Sequence, residues 1–127
     1  MKYLILIKSN PEWSAAWAAF TPEQQAEGMR LYTKLTEELQ EAGEYVDAEQ
    51  LVGPEATKTV TVGDHGPVAS DAPLAETKEF LGGYYLVDVA SFERAVEIAG
   101  RLPEAEWGGV QVHPILAYDA AADTSVA

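Results

Sequence analysis

Cysteine is missing from this chain altogether, which removes a disulfide framework, a thiolate zinc site and a cysteine nucleophile in one step. Positive charge is scarce as well. Eight Lys and Arg stand against 21 Asp and Glu, a formal net charge of −13 over 127 residues. Such a balance opposes nucleic acid and anionic membrane surfaces, so neither is an expected partner. Long apolar runs are absent too. The N-terminal Met-Lys-Tyr-Leu-Ile-Leu-Ile-Lys has five apolar residues between its lysines, too few for a signal-peptide core or a membrane span. A soluble cytoplasmic protein is the expectation. His65 and His113 are the only histidines and lie far apart without ligand spacing, so no metal site is expected. There is no glycine-rich phosphate loop, no Gly-x-Ser-x-Gly elbow and no dinucleotide fingerprint, and no cofactor is expected.

What the chain does have is the length and patterning of one domain, since about two-thirds of the unfolded surface can be buried at this size. Residues 2–8 read as a strand with Tyr3, Ile5 and Ile7 on one face and Leu4 and Leu6 on the other. Residues 9–20 begin as a loop. They carry Trp13 and Trp17 four apart, so a helical turn there would put both indoles on one face, to lid a pocket or simply to pack. Thr21-Pro22-Glu23-Gln24 is a capping box with proline at the first helical position. The helix that follows has the stripe Gly28, Leu31, Tyr32, Leu35, Leu39 and Ala42 and stops at Gly43. Tyr32 either fills the core or sends its hydroxyl into a site.

A short strand is predicted over about 47–52, and Thr57 to Val62 alternates as another. Gly63-Asp64-His65-Gly66 has hairpin-turn chemistry and returns through 67–70, with His65 at the tip. A strongly apolar strand runs from about 81 to 89. Its Gly82-Gly83 pair allows close approach of a ligand or a neighbouring segment. Ser91 caps a second helix with the face Phe92, Ala95, Val96 and Ala99, residues 103–109 form a loop around Trp107, and Val110 to Ala117 is the last strand. The domain spans residues 1–119, and 120–127 lack any packing pattern and read as a mobile tail.

This order predicts an α+β fold: a ferredoxin-like split βαβ plan with an antiparallel sheet, an inserted hairpin and both helices on one face. The first strand and the 81–89 strand are apolar on both sides. The face away from the helices is therefore expected to meet a second copy, giving a sheet-to-sheet homodimer.

The stretch from Asp71 to Asp88 delivers titratable groups to the mouth of a core strand. Asp71, Glu76, Lys78 and Glu79 fall within nine residues of one another. Glu76 and Lys78 share a side if that segment is extended; if it is helical, Glu76 aligns with Glu79 instead. A catalytic reading makes His113 or Asp71 a general base, with Lys78 and Glu76 as a charged pair and Lys78 stabilising developing negative charge. Trp13, Trp17, Tyr84 and Trp107 would bind substrate and exclude water. A second reading treats the same acidic and basic groups as a network that stabilises the turn.

Asp71-Ala72-Pro73-Leu74, Glu76-Thr77-Lys78-Glu79, Gly82-Gly83-Tyr84-Tyr85-Leu86-Val87-Asp88 and Gly108-Gly109-Val110-Gln111-Val112-His113-Pro114-Ile115 together resemble the YCII-related proteins, in the branch with an Asp-Gly-Pro-Phe (DGPF) motif. The resemblance implies a dimeric α/β barrel. It also implies either a cofactor-independent small-molecule enzyme of lyase or isomerase type, or a non-catalytic metabolite-binding or regulatory dimer linked to an alternative sigma factor. A haem, known on this general barrel plan, would have His113 as its one axial ligand. Ala72 and Leu74 replace the motif glycine and phenylalanine, and His113 stands where relatives commonly carry arginine. A permanent cation is thereby exchanged for a group that titrates near neutral pH.

Overall fold

The computed structural model describes residues 1–71 and 79–117. Strand β1 (Lys2–Ser9) leads into helix α1 (Pro11–Ala19) and helix α2 (Pro22–Glu41). Strand β2 (Tyr45–Gln50) follows, then a single 3-10 turn and the hairpin β3 (Lys58–Gly63) and β4 (Gly66–Asp71). The second half is strand β5 (Phe80–Asp88), helix α3 (Phe92–Gly100), a 3-10 turn at Pro103–Trp107 and strand β6 (Val110–Pro114).

The four long-range strands form one antiparallel sheet in the order β2-β5-β1-β6, while β3 and β4 pair only with each other. That is the ferredoxin-like arrangement with a hairpin inserted between its second and third strands. Except for Gly66, every hairpin residue is exposed, so the hairpin takes no part in the core. No helix among the described residues is long and apolar enough to cross a membrane.

Local chemistry accounts for the helix boundaries. At the start of α2, Gln24 N donates to Thr21 Oγ1 at 3.2 Å and Thr21 N donates to Gln24 Oε1 at 2.8 Å, closing the capping box that the sequence spells. Residues 9–20 go further than the loop and helical turn predicted for them. Asn10 accepts from Trp13 N at 2.7 Å, Pro11 fits the first turn, and four alanines favour continuation, so a full α1 forms.

Alternation along β1 divides its side chains between two environments. Tyr3, Ile5 and Ile7 turn toward the helices and join Tyr85, Val87 and Val89 in the core. Leu35 and Leu39 of α2 cover them, together with Ala95 and Ile98 of α3 and Leu102 just beyond it. The buried face of α3 is Ala95, Ile98 and Ala99, rather than the predicted Phe92, Ala95, Val96 and Ala99. The spacing 95, 98, 99, 102 makes one stripe with the chain exit, which turns Phe92 and Val96 to 45% exposure each. Phe92 still edges onto Tyr3, with ring centroids 5.9 Å apart.

On the other side of the sheet Leu4, Leu6, Tyr84 and Leu86 are half-buried, with Leu4 opposite Leu86 and Leu6 opposite Tyr84. Gly83 is needed where it stands. A Cβ there would lie 2.8 Å from the Glu49 carbonyl oxygen, so its close neighbour is β2.

Leu35 is fully buried among sheet and helix side chains. Leu35→Ala should lower unfolding free energy by about 2–5 kcal/mol, read as a lower urea midpoint with an unchanged slope.

Candidate functional site

At the end of the sheet where β1 finishes, the helix layer does not close, and a cavity of about 700 Å³ opens beneath α1. This volume is within the range of small-molecule sites. Ile7, Ala48 and Tyr85 form its floor, Tyr32 and Met29 of α2 one side, and Trp13 and Trp17 of α1 another. Phe80 and the loop residues Leu51, Pro54 and Glu55 complete the rim, and Glu104 reaches the wall from the last 3-10 turn.

α1 is placed to cover this space. It buries no residue of its own; among the described residues its two indoles, the Gln25 side chain and a contact between the Ser9 and Ser14 hydroxyls at 3.4 Å hold it. Trp13 meets Trp107 with ring centroids 6.4 Å apart, and Trp17 meets Phe20 edge-on at 5.9 Å. The Gln25 side-chain amide donates to the Trp17 carbonyl at 2.9 Å. Gly28 makes room for the Trp17 ring, since a Cβ there would lie 2.7 Å from it.

The polar part of the wall is a buried phenol and carboxylate. Tyr32 OH donates to Glu104 Oε2 at 2.6 Å and stands 2.9 Å from Oε1, and Glu104 is only 6% exposed. Burial, and next the hydrogen bond to Glu104, push the Tyr32 phenol far above its usual range, so it remains a protonated donor. The Glu104 carbonyl accepts from Gly109 N at 2.8 Å, which fixes the turn that carries it. Nearby, Tyr85 OH lies 3.0 Å from Thr36 Oγ1 and 3.3 Å from the Tyr32 carbonyl; burial raises its pKa.

The residues singled out from the sequence fall into separate places. Trp13 and Trp17 line the cavity, and Trp107 backs Trp13 with its indole Nε1 buried and unpartnered among the described residues. Tyr84 contributes to the wall, but alternation turns its ring to the opposite side of the sheet from Tyr85. There its hydroxyl donates to Asp47 at 2.7 Å, and that bond raises its pKa. His113 is exposed on β6, opposite Leu4 in register and 3.3 Å from the Gln111 side-chain oxygen, on the face away from the helices. Asp71 ends the hairpin, ion-paired with Lys58 and largely in solvent. Glu76 and Lys78 lie outside the described residues, as does the segment 120–127. Among the described residues no three His, Asp or Glu side chains gather as metal ligands.

Glu104 was not singled out. Nothing in Pro103-Glu104-Ala105-Glu106-Trp107 separates it from Glu106, and only the path of the turn buries one and exposes the other. Tyr32 had a weak signal as the polar member of an apolar stripe.

Fold and site together define an α+β domain of ferredoxin-like plan with a ligand-sized cavity beside helix α1. The YCII-related domain matches residues 1–119, and the chain belongs to that family. It is 31% identical over 120 residues to an uncharacterised protein of Rhizobium meliloti (strain 1021), covering 93% of this chain and 94% of that protein.

Gly28→Val should expel the Trp17 ring from α2, red-shifting and weakening tryptophan fluorescence. It should cost about 1–3 kcal/mol in urea unfolding, because the added atoms enter occupied space.

Proposed function

We propose that this chain binds a small ring compound in the cavity beneath α1 and works as a homodimer joined through the open face of its sheet. The observation that carries the first part is the cavity itself: ligand-sized, walled by Trp13, Trp17, Phe80 and Tyr85, and covered by a helix with no core of its own. Aromatic walls favour flat, partly apolar molecules by stacking and by area removed from water. The charge of −13 supports a small molecule over nucleic acid as the partner.

A cofactor-independent lyase or isomerase activity is a second reading, favoured by Glu104. A buried carboxylate in a cavity wall, oriented by one hydroxyl, has the form of a general base for an acidic C–H or O–H. His113 and Asp71 do not line this cavity, so this reading assigns the base role to Glu104 instead. The regulatory alternative needs only binding, with α1 as the element that reports occupancy.

The dimer is supported by Leu4, Leu6 and Leu86, which form a central apolar strip on the face without helices. On this reading His113 lies at the edge of the paired surfaces, not in the cavity.

Thermal-shift titration with a panel of aromatic ring compounds should give saturable stabilisation. Trp13→Leu should weaken each hit about tenfold, the worth of roughly 1.4 kcal/mol of ring packing. A panel without any hit, or hits indifferent to Trp13, would remove the cavity from the function. Light scattering should report a two-chain particle that Leu6→Asp converts to a folded single chain, because Leu6 points away from the core; a wild-type monomer ends the dimer reading.

A further inference from the structure

The cavity is unequal in the kinds of polar group it offers. An ionised carboxylate can accept about four hydrogen bonds. Glu104, almost wholly buried, accepts from one side-chain donor, the Tyr32 hydroxyl, among the described residues. No cation reaches it within ion-pair distance among those residues: the ion pairs of Lys8, Arg30, Lys58, Arg94 and Arg101 all go to other carboxylates. Lys8 contributes to the wall, and its ammonium is ion-paired with Glu79 at 3.4 Å, not with Glu104.

The remaining hydroxyls do not correct the imbalance. None of them carries charge: Tyr32 already spends its proton on Glu104, Tyr85 lies within reach of Thr36 and the Tyr32 carbonyl, Tyr84 donates to Asp47, and the Ser9 and Ser14 hydroxyls lie 3.4 Å from each other. Two further acids, Glu49 and Glu55, are among the residues that line the cavity. An anionic ligand would therefore meet a buried like charge that no cation among the described residues compensates, a costly arrangement. A ligand with a positively charged nitrogen would meet a carboxylate with acceptor capacity to spare and several aromatic faces.

We propose that the cavity selects a ring compound carrying an ammonium group, with the Glu104 carboxylate as its anchor and the indoles of Trp13 and Trp17 against its ring. This rests on the reading of the cavity as a ligand site. Glu104 then serves as a specificity-determining residue; the Tyr32 hydroxyl occupies one of its acceptor sites and is not itself required for the preference.

Three probes of similar shape and different charge test the assignment: 2-phenylethylamine, 2-phenylethanol and 3-phenylpropionate, titrated calorimetrically into the full chain at about pH 7. The amine should bind at least tenfold more tightly than the alcohol, with the carboxylate weakest, as expected for a charge-assisted hydrogen bond in a screened site. Glu104→Gln keeps the side-chain size and an acceptor for Tyr32; it should erase the amine's advantage while altering alcohol binding less than about threefold. Should that variant not fold, Tyr32→Phe gives the second readout, because it leaves the carboxylate in place and should keep the amine preference. Binding of all three probes without preference, a preference that survives Glu104→Gln, or one that vanishes in a folded Tyr32→Phe overturns the ammonium assignment alone. Failure of every probe to bind overturns the cavity reading with it.

Discussion

Strand β1 has large apolar side chains on both faces, and leaving either face to water is unfavourable. Its pairing with β5 on one edge and β6 on the other fixes which side chains go where, because a slip of one residue would exchange the two faces. Tyr3, Ile5 and Ile7 take the side that α2 and α3 can cover. Leu4 and Leu6 are left on the side that no element among the described residues covers. Two consequences follow from one alternation: a closed core on the helix side and an apolar strip on the other.

The cavity arises where that covering layer runs short. α2 packs Leu35 and Leu39 into the core but turns Tyr32 and Met29 toward the end of the sheet, and α3 lies over the other strands. Among the described residues only α1 remains to close the gap, and its alanine-rich surface supplies two indoles and little else. Trp17 leans into the space left by Gly28, and Trp13 leans on Trp107. A helix attached in this way is held by few contacts, so its opening is easier than that of α2 or α3.

The Tyr32 and Glu104 pair gives the cavity its chemical character. A carboxylate withdrawn from water needs donors, and here one phenol 72 residues away in sequence supplies the side-chain hydrogen bond. The pair also joins α2 to the turn before β6, so the same contact that orients the acid ties two layers at the mouth of the site. The conspicuous charges of the Asp71 turn do not enter this arrangement as far as the described residues extend. Asp71 itself is used in pairing the base of the hairpin with Lys58.

Much of the fold was legible in the residues, because short-range chemistry sets it. Thr21 and Gln24 mark the start of α2, Ser91 that of α3, alternation marks β1 and β3, and the order of elements yields the ferredoxin-like sheet. The indoles of Trp13 and Trp17 were recognisable as one face by their spacing alone. Burial of Glu104 instead of Glu106, the rotation of α3 that exposes Phe92, and the turning of Tyr84 and His113 to the far side of the sheet were decided by the tertiary structure. Each depends on register or on the path of a turn, quantities fixed only when distant segments pack together, whereas a cap, a stripe or an alternating run is complete within a few neighbouring residues.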